Sequence, residues 1–153
     1  MPDTLPINID VVTHDNLDDL LPLIEGYQQF YEAADIDEAR NRAFFGQLID
    51  EPYRGIQHIA YAAGQPVGFT TLYFTSASIT AEQICTLYDV FVLPLFRDLG
   101  YGQQLMEHAA AWSRAAGYPA MNWFTAPDNH RAQAVYDKLP ATKSNWLEYE
   151  WRL

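Results

Sequence analysis

The run Arg97-Asp98-Leu99-Gly100-Tyr101-Gly102 stands between an apolar, strand-like stretch at 87–92 and an apolar-periodic stretch that opens at Tyr101. A strand that turns through glycines into a helix leaves several backbone N–H groups unpaired, aimed one way, with the positive end of the helix dipole behind them. Such a junction is a cradle for phosphate. Glycine suits positions 100 and 102 because a Cβ would obstruct the anion and because the turn calls for a positive φ. The pattern lacks the G-K-[ST] of a Walker loop and the full G-x-G-x-x-G of a dinucleotide fingerprint. Cys85, the single cysteine, reads as a buried strand residue rather than a nucleophile. The four histidines, His14, His58, His108 and His130, are scattered without metal-ligand spacing, so no metal is expected.

The cradle needs a scaffold, and the pattern supplies one in order. Ile7, Ile9 and Val11 alternate as a first strand. Residues 17–34 carry Leu20, Leu21, Ile24, Tyr27 and Tyr31 at helical spacing, with Pro22 marking either a first turn or a kink. Asp37 caps a second helix whose apolar face reads as Ala43, Phe44 and Leu48. Residues 56–63 and 67–74 form a hairpin about a Gly-containing turn, 75–83 a polar loop, and 84–92 the strand that feeds the cradle. Tyr101, Leu105, Ala109 and Trp112 give the next helix one buried face, ended by Gly117 and Pro119. A strand at 120–125, a short helix from Asp128 or Asn129 through Leu139, and a last strand on Leu147, Tyr149 and Trp151 complete the chain. The order β-α-α-β-β-β-α-β-α-β indicates an α/β (α+β) domain, 1–153, with helices on both faces of a mostly antiparallel sheet.

Composition narrows the partners. A formal charge of −11 argues against wholesale binding to a nucleic-acid backbone, whose affinity rests on Lys and Arg. The acidic surface favours cationic acceptors or serves solubility alone. No apolar run reaches the roughly 18 residues of a membrane span, the first ten residues lack a secretory pattern, and the lone cysteine is compatible with a reducing cytoplasm. Ten tyrosines, eight phenylalanines and four tryptophans exceed the needs of the core and point to an aromatic-lined pocket or an oligomer interface.

With these elements in place, Arg97-x-x-Gly100-x-Gly102 resembles the [QR]-x-x-G-x-[GA] signature of the GNAT superfamily of N-acetyltransferases. Asn129, Ala132 and Tyr136 are similar to the N-x-x-A-x-x-x-Y of its second motif. The stretches Val67-Gly68-Phe69-Thr70-Thr71-Leu72-Tyr73 and Leu87-Tyr88-Asp89-Val90-Phe91-Val92 resemble those of the subgroup that holds diamine, fungal histone and polyamine, and D-amino-acid acetyltransferases. The resemblance covers nearly the whole chain. It implies a sheet of six to seven strands with a splayed pair that holds acetyl-CoA, and a homodimer.

The same resemblance implies roles. Backbone amides of Leu99, Gly100, Tyr101 and Gly102, with Asp98, would hold the coenzyme diphosphate, and Arg97 would add charge or brace the loop. Asp98 stands where many relatives carry glycine, so its carboxylate is expected to point to water. Phe91 and Val92 would pair through their main chain with the pantetheine arm, and Asn129 would bond the coenzyme. Tyr136 matches the general acid, a phenol able to protonate a departing thiolate. Asp89 is read as proton acceptor for the amine or as a strand-fixing hydrogen-bond acceptor, and Tyr27, Phe30 and Tyr31 as acceptor-pocket lining or as core. The implied reaction is acetyl transfer from acetyl-CoA, without metal, to a small, cationic amine or amino acid. The rivals are a non-catalytic acyl-CoA-binding module and a protein or histone lysine acetyltransferase.

Overall fold

A computed structural model describes residues 4–153. The first strand, β1 (Ile7–Val11), leads into α1 (Leu17–Phe30) and α2 (Glu38–Asp50). Helix α1 begins at Leu17 and keeps Pro22 inside it, since the apolar stripe Leu17, Leu20, Leu21, Leu23 and Ile24 is buried and outweighs the missing N–H. Each such side chain contributes roughly 1.5–3 kcal/mol of burial. Asp37 caps α2 as expected, accepting from the Arg40 N–H at 2.7 Å. The buried face of α2 is Phe45 and Leu48; Ala43 and Phe44 face solvent, a correction of the expected stripe.

Strands β2 (Gly55–Ala62), β3 (Gln65–Ala77) and β4 (Glu82–Val92) form an antiparallel meander. Ala63 and Gly64 join the first pair with both residues at positive φ, 48° and 78°, the twist a two-residue hairpin turn requires. The expected loop at 75–83 is mostly strand: β3 runs to Ala77 and β4 resumes at Glu82, because Thr75, Ser76 and Ala77 pair with Ile84, Gln83 and Glu82. Between Thr71 and Leu72 the register slips, so Tyr88 is an extra residue on β4 beside Asp89. Bulges of this kind re-aim neighbouring side chains.

A single 3-10 turn at Pro94–Phe96 ends β4, and α3 (Tyr101–Ala115) follows. Strand β5 (Met121–Asn122) lies parallel to β4 at Cys85 and Thr86 only, and α4 (His130–Tyr136) follows it in the chain. The sheet order is β1-β2-β3-β4-β5, five strands rather than six to seven. The missing element is the last one. Leu147, Tyr149 and Trp151 alternate as a strand should, yet residues 140–153 pair with no strand among the described residues.

Helices cover both faces. On one, α1 packs on Ile59, Phe69 and Phe91. On the other, α3 lays Tyr101, Leu105, Met106 and Ala109 over Ala60, Val67, Leu72 and Leu87.

Candidate active site

The glycine-containing turn joins β4 to α3, at the strand-to-helix junction the sequence indicates. Gly100 stands at the N-terminus of α3 with φ 80°, and Asp98 before it is also left-handed at φ 64°. The first bond of α3 runs from the Gln104 N–H to the Gly100 carbonyl at 3.1 Å, and no side chain caps the helix. The N–H groups of Tyr101, Gly102 and Gln103 therefore stay available to an anion. A Cβ built on Gly100 or Gly102 would meet no atom within 4 Å, so the space beside both is open. That room fits a diphosphate. The side chain of Tyr101 takes no part, being buried with its hydroxyl donating to the Leu5 carbonyl at 2.8 Å.

Arg97 braces this loop. Its Nε donates to the Val92 carbonyl at 3.0 Å, and its guanidinium lies 5.0 Å from the Phe30 ring centroid and 5.6 Å from that of Phe91. Phe30 is thereby placed against Arg97 at the mouth of the cradle. Asp98 points to water, as expected, and pairs with Arg131 of α4 at 2.6 Å. Burial, and then the charge of nearby Arg131, lower the Arg97 pKa from its ordinary value, with Asp98 opposing. Arg131 was not legible in the sequence: 33 residues separate it from Asp98, and no motif marks the pair.

Between cradle and β5 the sheet opens. Strand β4 continues to Val92, but β5 pairs with it only as far as Thr86, so its backbone from Leu87 onward lacks a strand neighbour on that side among the described residues. Phe91 and Val92 lie on this splayed edge. On α4, the Asn129 Oδ1 accepts from the Ala132 N–H at 3.2 Å, which makes the side chain an N-cap and leaves its amide donors free.

The α1 face of the same strand carries a second cluster. Asp89 is 6% exposed, and the nearby Tyr27 and Thr71 hydroxyls favour its charged form. Thr71 Oγ1 in turn accepts from buried Gln57 at 2.9 Å, which frees its proton for the carboxylate. Burial pushes the Asp89 carboxyl above the usual range, and the two hydroxyls only partly restore it. The Tyr27 phenol is pushed up strongly, by burial first and then by the Asp89 charge. Tyr31 moves up for the same two reasons, and Tyr73 is raised to about 12 by burial, Asp89 and Tyr88. Tyr73 and Tyr88 meet edge to face at 5.4 Å, and Tyr27 and Tyr31 at 5.0 Å. Tyr27, Tyr31 and Tyr73 thus lie near one buried carboxylate, and Tyr88 packs on Tyr73 at the outside. The position of Tyr73 and Tyr88 beside this cluster has no sequence mark, because it follows from the register slip between Thr71 and Leu72.

Tyr136 ends α4 beside Trp123, ring centroids 5.6 Å apart. Burial raises its phenol pKa, and nearby Tyr31 adds to the rise, so the proton stays on the oxygen at neutral pH. Of the expected site residues, Tyr27 and Tyr31 gather near Asp89, Phe30 lies with Arg97, and Tyr136 packs on Trp123.

The acetyltransferase (GNAT) family profile matches residues 20–139. An uncharacterized N-acetyltransferase of Bacillus subtilis is 31% identical over 120 residues, covering 78% of each chain. A D-amino-acid N-acetyltransferase of Saccharomyces cerevisiae is 32% identical over 108 residues, 69% of this chain and 66% of that one. The fold is shared with a probable acetyltransferase at TM-score 0.85 and 24% identity, over 95% of this chain and 97% of that one. It is shared too with an aminoglycoside N-acetyltransferase solved in complex with CoA, at TM-score 0.83 and 20% identity, over 99% and 98%.

Proposed function

The chain belongs to the acetyltransferase (GNAT) family and is an acetyl-CoA-dependent N-acetyltransferase, and from that premise we propose that its acceptor is a small cationic amine without a carboxylate beside the reacting nitrogen. The observation that carries this reading is buried Asp89 with Tyr27, Tyr31 and Tyr73 near it. A buried carboxylate with aromatic faces around it attracts an ammonium group by charge and by cation–π contact. A carboxylate next to that ammonium would need a cation, and those near the cluster are engaged. Arg54, close enough to Tyr73 to act on its phenol, pairs with Glu51 at 2.9 Å, and Arg97 lies on Phe30 and Phe91.

In this reading the coenzyme diphosphate sits on the open N–H groups from Leu99 to Gly102, with Asn129 Nδ2 and the free edge at Phe91 and Val92 holding the rest. Bound acetyl-CoA supplies an activated acetyl thioester. The chain's own residues handle the protons. Asp89 attracts the ammonium and accepts its proton, directly or through water, and its raised pKa keeps it a better base than an ordinary carboxylate. Tyr136 holds a proton at its hydroxyl for the departing thiolate. The reading also takes the protein as a cytoplasmic homodimer, which the single cysteine and the surplus of aromatic residues support.

The D-amino-acid relative favours a second reading, in which the acceptor is an amino acid. Matched pairs separate the two: lysine, in both configurations, against the diamine left when its carboxylate is removed. Coenzyme A release with acetyl-CoA is expected at least about tenfold higher in kcat/KM for the diamine. Equal or higher values for the amino acid, with the acetyl group found on its α-nitrogen, would overturn the proposal.

A further inference from the structure

Two cross-strand rows lie side by side on the α1 face of the sheet, and they differ in kind. Ile59, Phe69 and Phe91 stand opposite one another on β2, β3 and β4, and all three are buried in the core that α1 covers. Two residues along each strand, the same register puts Gln57 opposite Thr71 and Thr71 opposite Asp89. Side chains two positions apart on a strand share a face, so this second row is a polar line across three strands on the side of the same helix. Register partners hold their Cβ atoms about 4.5–5.5 Å apart, close enough for their side chains to act on one another. The whole row is out of water: Gln57 is 3% exposed, Thr71 0% and Asp89 6%.

The row also has a direction. Gln57 Nε2 donates to Thr71 Oγ1 at 2.9 Å. A threonine hydroxyl carries one proton, and with Gln57 donating to the oxygen that proton is left for the next strand. There it meets Asp89, whose charged form the Thr71 hydroxyl favours. The other half of the Gln57 amide is idle, since Oε1 is buried with no hydrogen-bond partner among the described residues. A buried carbonyl without a donor costs stability that an apolar side chain of the same length would not. Packing therefore gives no reason for a glutamine here, and the one bond its side chain makes leads through Thr71 to Asp89.

We propose that Gln57 is a positioning residue of the acetyl-transfer site: its amide holds the Thr71 hydroxyl turned toward Asp89, and the hydroxyl keeps Asp89 a carboxylate ready for the acceptor's ammonium group. This rests on the reading of Asp89 as the group that draws in the amine. Gln57 stands two strands away and reaches Asp89 only through Thr71. Burial works against the charged carboxylate, so a hydroxyl held in place matters more here than it would in water. The other ionisable groups facing Asp89 are Tyr27 and Tyr31 of α1 and Tyr73 of β3, with Tyr88 of β4 and Arg54 acting on Tyr73 from outside. Those three phenols are all raised, so they keep their protons while the carboxyl titrates. His58 and His108 meet on the α3 face, across the sheet from this row.

Two readouts on the full chain test it. The first needs neither acetyl-CoA nor an amine: the aspartate carboxyls are labelled with carbon-13, the Asp89 signal is identified by its loss in Asp89→Asn, and its pH titration is followed by NMR. Thr71→Val is expected to raise the midpoint by about one pH unit or more, the worth of one hydroxyl turned to a charged group. Gln57→Met should raise it by a smaller step, about 0.3–0.5, and Thr71→Ser should leave it near the native value. In the Thr71→Val background Gln57→Met is expected to add nothing, because its route to Asp89 is gone. The second readout is the acid limb of the kcat/KM profile, which should move up in pH with the titration while the plateau above it stays within about twofold. A residue needed only for packing would lower the plateau and leave the limb in place, and that result would overturn the inference. So would a midpoint that Gln57→Met leaves unmoved or lowers, or two shifts that simply add in the double variant. Gln57→Leu gives the same comparison if Gln57→Met does not fold. An acid limb that survives Asp89→Asn would instead overturn the reading of Asp89, and the titration of the free protein tells the two failures apart.

Discussion

Gly102→Val separates the cradle's binding role from its structural one. Gly102 lies in the first turn of α3, is not among the residues with positive φ, and has nothing within 4 Å of the position a Cβ would take. Valine replaces glycine in a helix at little or no cost in propensity, so the folded state should change by about 0.5 kcal/mol or less. At this chain length that is roughly 1–2 °C in melting temperature. The coenzyme meets a different surface. The added methyl groups occupy the open space beside the N–H groups of Tyr101, Gly102 and Gln103. Losing one or two charge-assisted hydrogen bonds there costs about 1.5–3 kcal/mol each, so acetyl-CoA should bind about a hundredfold more weakly or worse. Titration calorimetry with coenzyme A, alongside thermal unfolding of the free protein, reads both quantities. Unchanged affinity in a folded variant would refute the assignment. Gly100→Val makes the contrast, since φ 80° forces a β-branched residue into the left-handed region at about 1–2 kcal/mol and lowers stability as well.

Other perturbations probe the remaining parts. Tyr136→Phe should lower kcat about a hundredfold and leave coenzyme affinity within about twofold; full turnover would remove the phenol from proton donation. Asp89→Asn should raise the amine KM and abolish the acid limb of the kcat/KM profile, a limb that lies above the ordinary carboxylate range because burial raises the Asp89 pKa. An intact acid limb in that variant would exclude Asp89 as its source. Away from the site, His58 is 1% exposed beneath α3, neither ring nitrogen has a partner, and burial with neighbouring His108 lowers its pKa to about 4. The unfolded chain takes up that proton near pH 6.5 and the folded chain does not, so the stability His58 confers is present above pH 6.5 and is lost as pH falls toward 4. The loss is on the order of 3 kcal/mol. Denaturant melts from about pH 7.5 to 4.5 should show the decline, and His58→Leu should flatten it; an equally steep decline in the variant would assign the slope elsewhere.

Much of this was written in local chemistry. The glycines of the cradle, the Asp37 cap, the two-residue hairpin turn and the buried stripe of α3 depend on neighbours within a few positions, and such features survive translation from sequence to fold. The misreadings concern choices made at a distance. Which face of α2 is buried is decided by α1 and the sheet, so Phe45 rather than Phe44 turns inward. Thr75, Ser76 and Ala77 look like loop residues and become strand because Ile84, Gln83 and Glu82 stand ready to pair. The partnership of Asp98 with Arg131 and the placing of Tyr73 near Asp89 with Tyr88 packed on it come from topology and a bulge, for which no spacing rule exists. The alternation at Leu147, Tyr149 and Trp151 reads as a strand, yet those residues join no strand among the described residues, because a strand needs an edge that topology, not spacing, supplies.

The central claim is that this chain moves an acetyl group from coenzyme A to a cationic amine drawn in by Asp89. Coenzyme A release, followed as free thiol with acetyl-CoA over a panel of diamines, polyamines, aminoglycosides, amino acids and lysine peptides, tests it most directly. The account predicts saturable release with one or more polycationic amines, weak release with amino acids, and mass-spectrometric detection of the N-acetyl product. Tight acetyl-CoA binding with no release on any amine, or release only on amino acids or peptides, would contradict it.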